Sequence, residues 1–175
     1  MKRLALVLAL GGCSVVDQPY PPAWDPLSPA GVSDCRRFEG AYADRGESPG
    51  QTARPSLTRE LFGEDSPWEK ATSVRMELVE DGAVITVQDG DKPVSRHFST
   101  KEGDFRCQDG KLTLLSRRWV TSGLMSGRES VRLDLYAAEP FLVAHVEERV
   151  SGVMFIVVPL SGESARWFRF ARIKP

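Results

Sequence analysis

From residue 35 onward, apolar and polar residues alternate in short runs separated by glycine-bearing turns, the period-2 pattern of half-covered strands. Val74-Arg75-Met76-Glu77-Leu78-Val79 alternates cleanly. Asp81-Gly82 turns it into Ala83-Val84-Ile85-Thr86-Val87, and Asp89-Gly90 ends that run. Such acidic-Gly pairs predict hairpins, because glycine accepts positive φ without a Cβ clash. Phe38 to Tyr42 predicts an opening strand and Val94 to Phe98 another. Asp104 to Cys107 is expected to pair with Lys111 to Val120 across Asp109-Gly110. Further on, Val131, Leu133 and Leu135 alternate with Arg132, Asp134 and Tyr136, and Leu142, Ala144 and Val146 with Val143, His145 and Glu147. Ser151-Gly152 reads as a turn into Val153 to Val158, which is apolar on both faces and so predicts a central, doubly covered strand. Arg166 to Ile173 supplies the last strand. One short helix is predicted over Leu57 to Phe62, with Ser56 as N-cap and Gly63 as stop.

Regular short strands with almost no helix predict a mainly β fold, an antiparallel meander of eight to ten strands forming a barrel or sandwich. Residues 34–175 are expected to form a single β domain. If it closed as an up-and-down barrel of about eight strands, the interior would be filled or ligand-sized.

The residues before this domain carry a different signal. Met1-Lys2-Arg3 is a positive start, Leu4 to Leu10 is a continuous apolar run, and Gly11-Gly12-Cys13 follows. Seven apolar residues are too few to span a bilayer, which takes about 20, and fit a short secretory h-region. Leu10-Gly11-Gly12-Cys13 resembles the lipobox of bacterial lipoproteins. The resemblance implies that residues 1–12 are a signal peptide and that Cys13 becomes the acylated N-terminus. Ser14, where inner-membrane lipoproteins often carry Asp, implies sorting to the outer membrane, facing the periplasm. Residues 13–33 contain Pro19, Pro21, Pro22, Pro26 and Pro29 and read as an extended tether. Tyr20 and Trp24 within it either rest at the lipid interface or pack back on the domain. The simplest expectation is a linker with incidental aromatics.

Of three Cys in the chain, acylation of Cys13 leaves Cys35 and Cys107. In an oxidising compartment such a pair is expected to form a disulfide. Cys35 followed by Phe38-x-Gly40-x-Tyr42 is similar to the opening of many small bacterial lipoproteins of unknown role, and Asp104-Phe105-x-Cys107-x-Asp109-Gly110 looks like their second Cys strand. Gly40-x-Tyr42 is also similar to the Gly-x-Trp opening strand of lipocalin-like barrels, with Tyr in place of Trp.

Composition narrows the function classes. The chain has 175 residues, 41% hydrophobic and 27% charged, which excludes a disordered or collagen-like chain. A formal charge of -1, from 23 basic and 24 acidic residues, provides no global field for nucleic acid. Loss of residues 1–12 would remove Lys2 and Arg3, leaving 21 basic against 24 acidic residues and a charge of -3. Zinc-protease, Cys-x-x-Cys and nucleophile-elbow motifs do not occur. His97 and His145 read as strand residues with ordinary hydrogen bonds. Ser122-Gly123-Leu124-Met125-Ser126-Gly127 reads as turn chemistry, not a nucleophile. Glu147 and Glu148 are adjacent in a strand and so point to opposite faces. No metal and no cofactor is expected.

Arginine is the unusual element, accounting for all but six of the basic residues. Arg117-Arg118-Trp119 and Arg166-Trp167-x-Arg169 interleave guanidinium with indole. They are candidates for an anion or partner surface, since Arg forks onto carboxylates and stacks on rings, although Arg stems lying over an exposed sheet face would give the same pattern. The leading expectation is a non-enzymatic, membrane-anchored binding or scaffold module of the cell envelope. The alternatives are a lipocalin-like carrier of a small apolar ligand, or a hydrolase inhibitor that presents the Gly- and Ser-rich stretch Thr121 to Glu129 as a loop.

Overall fold

The computed structural model describes residues 15–27, 34–52, 54–63, 70–122, 125–154 and 158–174. The expected signal peptide, Cys13, and residues 28–33 of the expected tether lie outside them. Among the described residues there are ten strands: β1 (Val15–Asp17), β2 (Gly40–Ala43), β3 (Ala71–Val79), β4 (Gly82–Asp89), β5 (Lys92–Ser99), β6 (Phe105–Gln108), β7 (Lys111–Ser122), β8 (Met125–Ala138), β9 (Phe141–Met154) and β10 (Val158–Ile173). A 3₁₀ turn (Cys35–Phe38) precedes β2, and α1 (Leu57–Phe62) follows it.

Nine strands form one path in the order β5-β4-β3-β2-β10-β9-β8-β7-β6, and β1 adds in parallel to β10. Two antiparallel meanders, β2 to β5 and β6 to β10, are joined where Arg172 and Ile173 pair with Tyr42 and Ala41. The expected β class, antiparallel meanders and short helix are therefore present, but the sheet is not closed into a barrel. Its end strands β5 and β6 are linked by a turn in which Ser99 N–H donates to the Asp104 carboxylate, while Leu115 N–H donates to the Asp104 carbonyl. Arg96 bridges the seam, donating to Leu61 O and Ser116 Oγ.

The sheet curls over one core. Tyr42, Phe38, Phe98, Phe170, Met76 and Ile85 are fully buried, together with Leu112, Leu114, Leu133 and Leu135 from the other meander. Alternation explains the choice, since Leu112 and Leu114 on β7 face Leu135 and Leu133 on β8 in direct register. Helix α1 forms as its local chemistry dictates. Ser56 Oγ accepts from Arg59 N–H at 3.2 Å, Gly63 ends the helix at φ 94°, and Leu57 and Leu61 enter the core.

Three expectations about the second half are corrected. Thr121 to Glu129 is not a presented loop: Thr121 pairs with Ser126, Val120 with Gly127 and Arg118 with Glu129, leaving only residues 123–124 outside the described strands. Ser151-Gly152 is not a turn, because β9 runs through it. Gly152 faces Gly127, where a Cβ would meet the opposite Cα within 2.8 Å, so the two glycines permit close backbone approach rather than reversal. Val153 to Val158 is not one central strand either. It includes the end of β9 and the start of β10, residues 155–157 are outside the description, and Val153 is 42% exposed. The central place on the path belongs to β10.

The long strands explain these differences. β7 to β10 extend past the core as a four-stranded arm whose inner face changes from leucine and valine to charge beyond Ser116, Val131 and Val146. Arg118, Glu129 and Glu148 take the inner-face positions there, so hydrogen bonding continues without apolar alternation.

The Pro-rich segment is docked, at least over residues 15–27. Gln18 N–H donates to Ala165 O, and Trp167 Nε1 donates back to Gln18 O at 3.0 Å. Tyr20 packs edge-on against Trp167 at 4.9 Å, and Arg169 lies over Trp24 and Phe141. These aromatics rest on the domain because Trp167, Phe141 and Val143 supply an apolar patch on the outer face of the sheet.

Candidate functional site

Strand alternation divides the arginine–tryptophan candidates between two faces. Arg118 and Arg166 point to the inner face of the arm and Arg117 and Trp119 to the outer. Trp167 lies beneath the docked segment, stacked on His145 at 4.3 Å. Arg169 pairs with Glu47. The six residues do not form one surface.

Arg118 and Arg166 meet at a groove of about 700 Å³ between the inner face of the arm and the segment that leads into α1. Arg45, Arg54 and Arg59 reach it from that segment. Its floor is a charge ladder set by strand register. Arg118 lies directly opposite Glu129 and binds it through two hydrogen bonds, one of them Nη2–Oε1 at 2.8 Å. One strand over, Arg166 Nη2 donates to Glu148 at 3.0 Å. Glu148 lies diagonally across the β8–β9 register from Glu129, on the same face. Burial, opposed by the Arg166 charge and reinforced by the Glu129 carboxylate, raises the Glu148 pKa above the ordinary carboxylate value. Gly63 shapes the wall, since a Cβ there would fall 1.8 Å from Arg118 Nη1. The residue that stops α1 thus also makes room for the guanidinium.

This arrangement is suited to holding an anion more than to transforming one. The Glu129 and Glu148 carboxyls are each engaged by an arginine. Five arginines against three glutamates (Glu60, Glu129 and Glu148) leave the groove net positive.

The outer face carries a second cluster, in which ligand atoms of Asp134, His145 and Glu147 lie within 4.8 Å of one another. Its acceptors are already engaged by protein cations. Asp134 accepts from Lys111 Nζ at 3.0 Å, Thr113 Oγ1 at 2.7 Å and Arg132. Burial would raise the Asp134 pKa, but those hydrogen bonds and the Lys111 and Arg132 charges outweigh it and hold the group below its usual value. A folded pKa below the unfolded one adds stability at neutral pH, and this is lost as pH falls through the folded value. Asp134→Asn should therefore cost about 2 kcal/mol near pH 7. The gap from wild type should narrow on acidification, as read by urea unfolding across pH.

His97 is exposed and pairs with Asp81 at 3.2 Å, on the opposite half of the sheet from His145. Glu147 and Glu148 do point to opposite faces. Sequence reasoning missed that Glu148 and Glu129 share a face, because they lie on different strands and are brought near each other only through the β8–β9 register. It also missed Arg45, Arg54 and Arg59, which carry no local motif.

No family model, curated protein or solved structure matches the chain.

Proposed function

We propose that this chain is a non-enzymatic binding module of the bacterial envelope, held at a membrane by a lipid on Cys13, whose groove takes a carboxylate-bearing ligand. The groove with its five arginines carries this reading. Two of them, Arg118 and Arg166, are held in position by Glu129 and Glu148. Arg45, Arg54 and Arg59 are exposed on the opposite wall. Guanidinium forks match carboxylate geometry, and a fixed pair facing exposed ones suits an extended acidic segment laid along the groove. The domain interior is filled by Tyr42, Phe38, Phe98 and Phe170, which favours a surface ligand over a small apolar cargo.

The test is calorimetric titration of the full chain with poly-L-glutamate and poly-L-lysine. Poly-L-glutamate should bind and poly-L-lysine should not. Arg54→Gln with Arg59→Gln should weaken binding at least about tenfold, given the worth of charged hydrogen bonds. Equal affinity for both polymers, or an unchanged double variant, would reject the proposal.

A further inference from the structure

We propose that the outer face of the β7–β10 arm lies against the membrane and seats anionic phospholipid headgroups. This rests on the reading that Cys13 carries the anchor. The backbone register defines the face. One row across the sheet runs Val15, Glu163, Arg149, Ser130, Arg117. The next row toward the end of the arm runs Ser161, Ser151, Arg128, Trp119, and the row beyond it is Pro159, Val153, Ser126, Thr121. The last two rows carry no acidic residue. Three arginines face a single carboxylate, that of Glu163, which pairs with Arg149 at 3.3 Å. Acidic groups return only toward the body of the domain, in the row of Asp17, Glu147 and Arg132 and the following row of Asp134.

Trp119 stands at the β7 edge of this basic face, 62% exposed. A shallow concavity of about 600 Å³ is lined by Arg117, Trp119, Arg128 and Arg149, with Glu163 and the Arg118–Glu129 pair also on its wall, so that four arginines meet two carboxylates there. Exposed indole among guanidinium groups is the combination that settles at an anionic lipid interface, the ring at headgroup depth and the cations against phosphate.

The chain itself supplies the position. β1 runs parallel to β10, so its start at Val15 is directed toward the end of the arm. Cys13 is two residues earlier, within about 7 Å of Val15 along even a fully extended chain. A lipid on Cys13 would therefore bring the bilayer to the row of Trp119 and Arg128. The inner-face groove would remain directed away from the lipid.

The experiment is vesicle flotation of the full chain carrying Cys13→Ser, so that no acyl group contributes. Vesicles are phosphatidylcholine alone, or phosphatidylcholine with phosphatidylglycerol. The variant Arg117→Gln/Arg128→Gln/Arg149→Gln should lose about 100-fold in partition to the anionic vesicles, each arginine near the surface contributing comparably. Trp119→Ala should weaken partition to both kinds of vesicle. A charge-matched control, Arg75→Gln/Lys92→Gln/Arg106→Gln, placed on β3, β5 and β6, should keep the parent's partition. All these proteins share residues 1–12, so differences among them report the surfaces alone. Equal loss in the control, or no loss in the face variant with its circular dichroism unchanged, overturns the proposal. Labelled fatty acid fed to the native bacterium checks the anchor separately. Wild type without label overturns the anchor reading, and the vesicle comparison still decides the face.

Discussion

Replacing Cys35 and Cys107 together by serine should cost the domain about 4 kcal/mol, the chain-entropy value for a closed loop of this size. The two half-cystines are bonded, 72 positions apart, with Cα atoms 6.2 Å apart. Their position strengthens the expectation. Cys35 opens the 3₁₀ turn, where Asp34 caps Arg36 N–H at 2.9 Å, and leads into β2. Cys107 lies on β6, a four-residue end strand paired only with β7 among the described strands. β2 is fourth on the strand path and β6 ninth, so the bridge at the margin of the core ties together parts that backbone hydrogen bonds leave apart. A loss of this size is a large share of the roughly 5–15 kcal/mol that stabilises a typical domain. Urea unfolding of the double variant, and of wild type with and without reductant, measures it. A midpoint unmoved by reductant would show that the open seam is held by packing alone.

The second large effect is expected at Arg118. Arg118→Met should destabilise the protein by about 3 kcal/mol near pH 7, because it leaves Glu129, 6% exposed, without its bidentate partner and beside another carboxyl group. Glu148, already held above the ordinary carboxylate pKa, sets the sign of the pH response. As pH falls into the range where Glu148 takes up its proton, one of the two facing charges disappears and the cost of the lost guanidinium should shrink. The double variant Arg118→Met/Glu129→Met should recover most of the loss, since an ion pair replaced by apolar groups of similar volume is close to neutral in stability. A double-mutant cycle by chemical unfolding at two pH values reads both effects. Additive losses would show that the pair does not couple. The stability-neutral double variant would also lose one of the two fixed arginines of the groove, separating ligand binding from folding.

What the chain determines locally could be read from it directly. The period of 2 located most strands of the core, Asp-Gly pairs located the β3–β4, β4–β5 and β6–β7 hairpins, and Ser56 and Gly63 bounded α1 at the residues observed. These features depend on neighbours in sequence, where backbone sterics and side-chain capping act. The disulfide was also legible, because the two cysteines within residues 34–175 admit one pairing.

Pairing between strands decided the rest. The extension of β8 and β9 into the arm was missed because charged residues take the inner-face positions beyond Val131 and Val146, so no apolar alternation marks them. Gly127 and Gly152 looked like turns until the register placed them opposite each other. Composition read Arg117, Arg118 and Trp119 as one cluster, and the pleat of β7 sent Arg118 into the groove and its two neighbours to the outer face. Glu129 and Glu148 are 19 positions apart in sequence and meet across one strand boundary. The same register sets Val15 beside Glu163 and folds the proline-rich segment onto Trp167. Sequence periodicity states which residues can share a face. Only the closed hydrogen-bond register states which strands lie side by side, and the groove, the charge ladder and the basic outer face all depend on that choice.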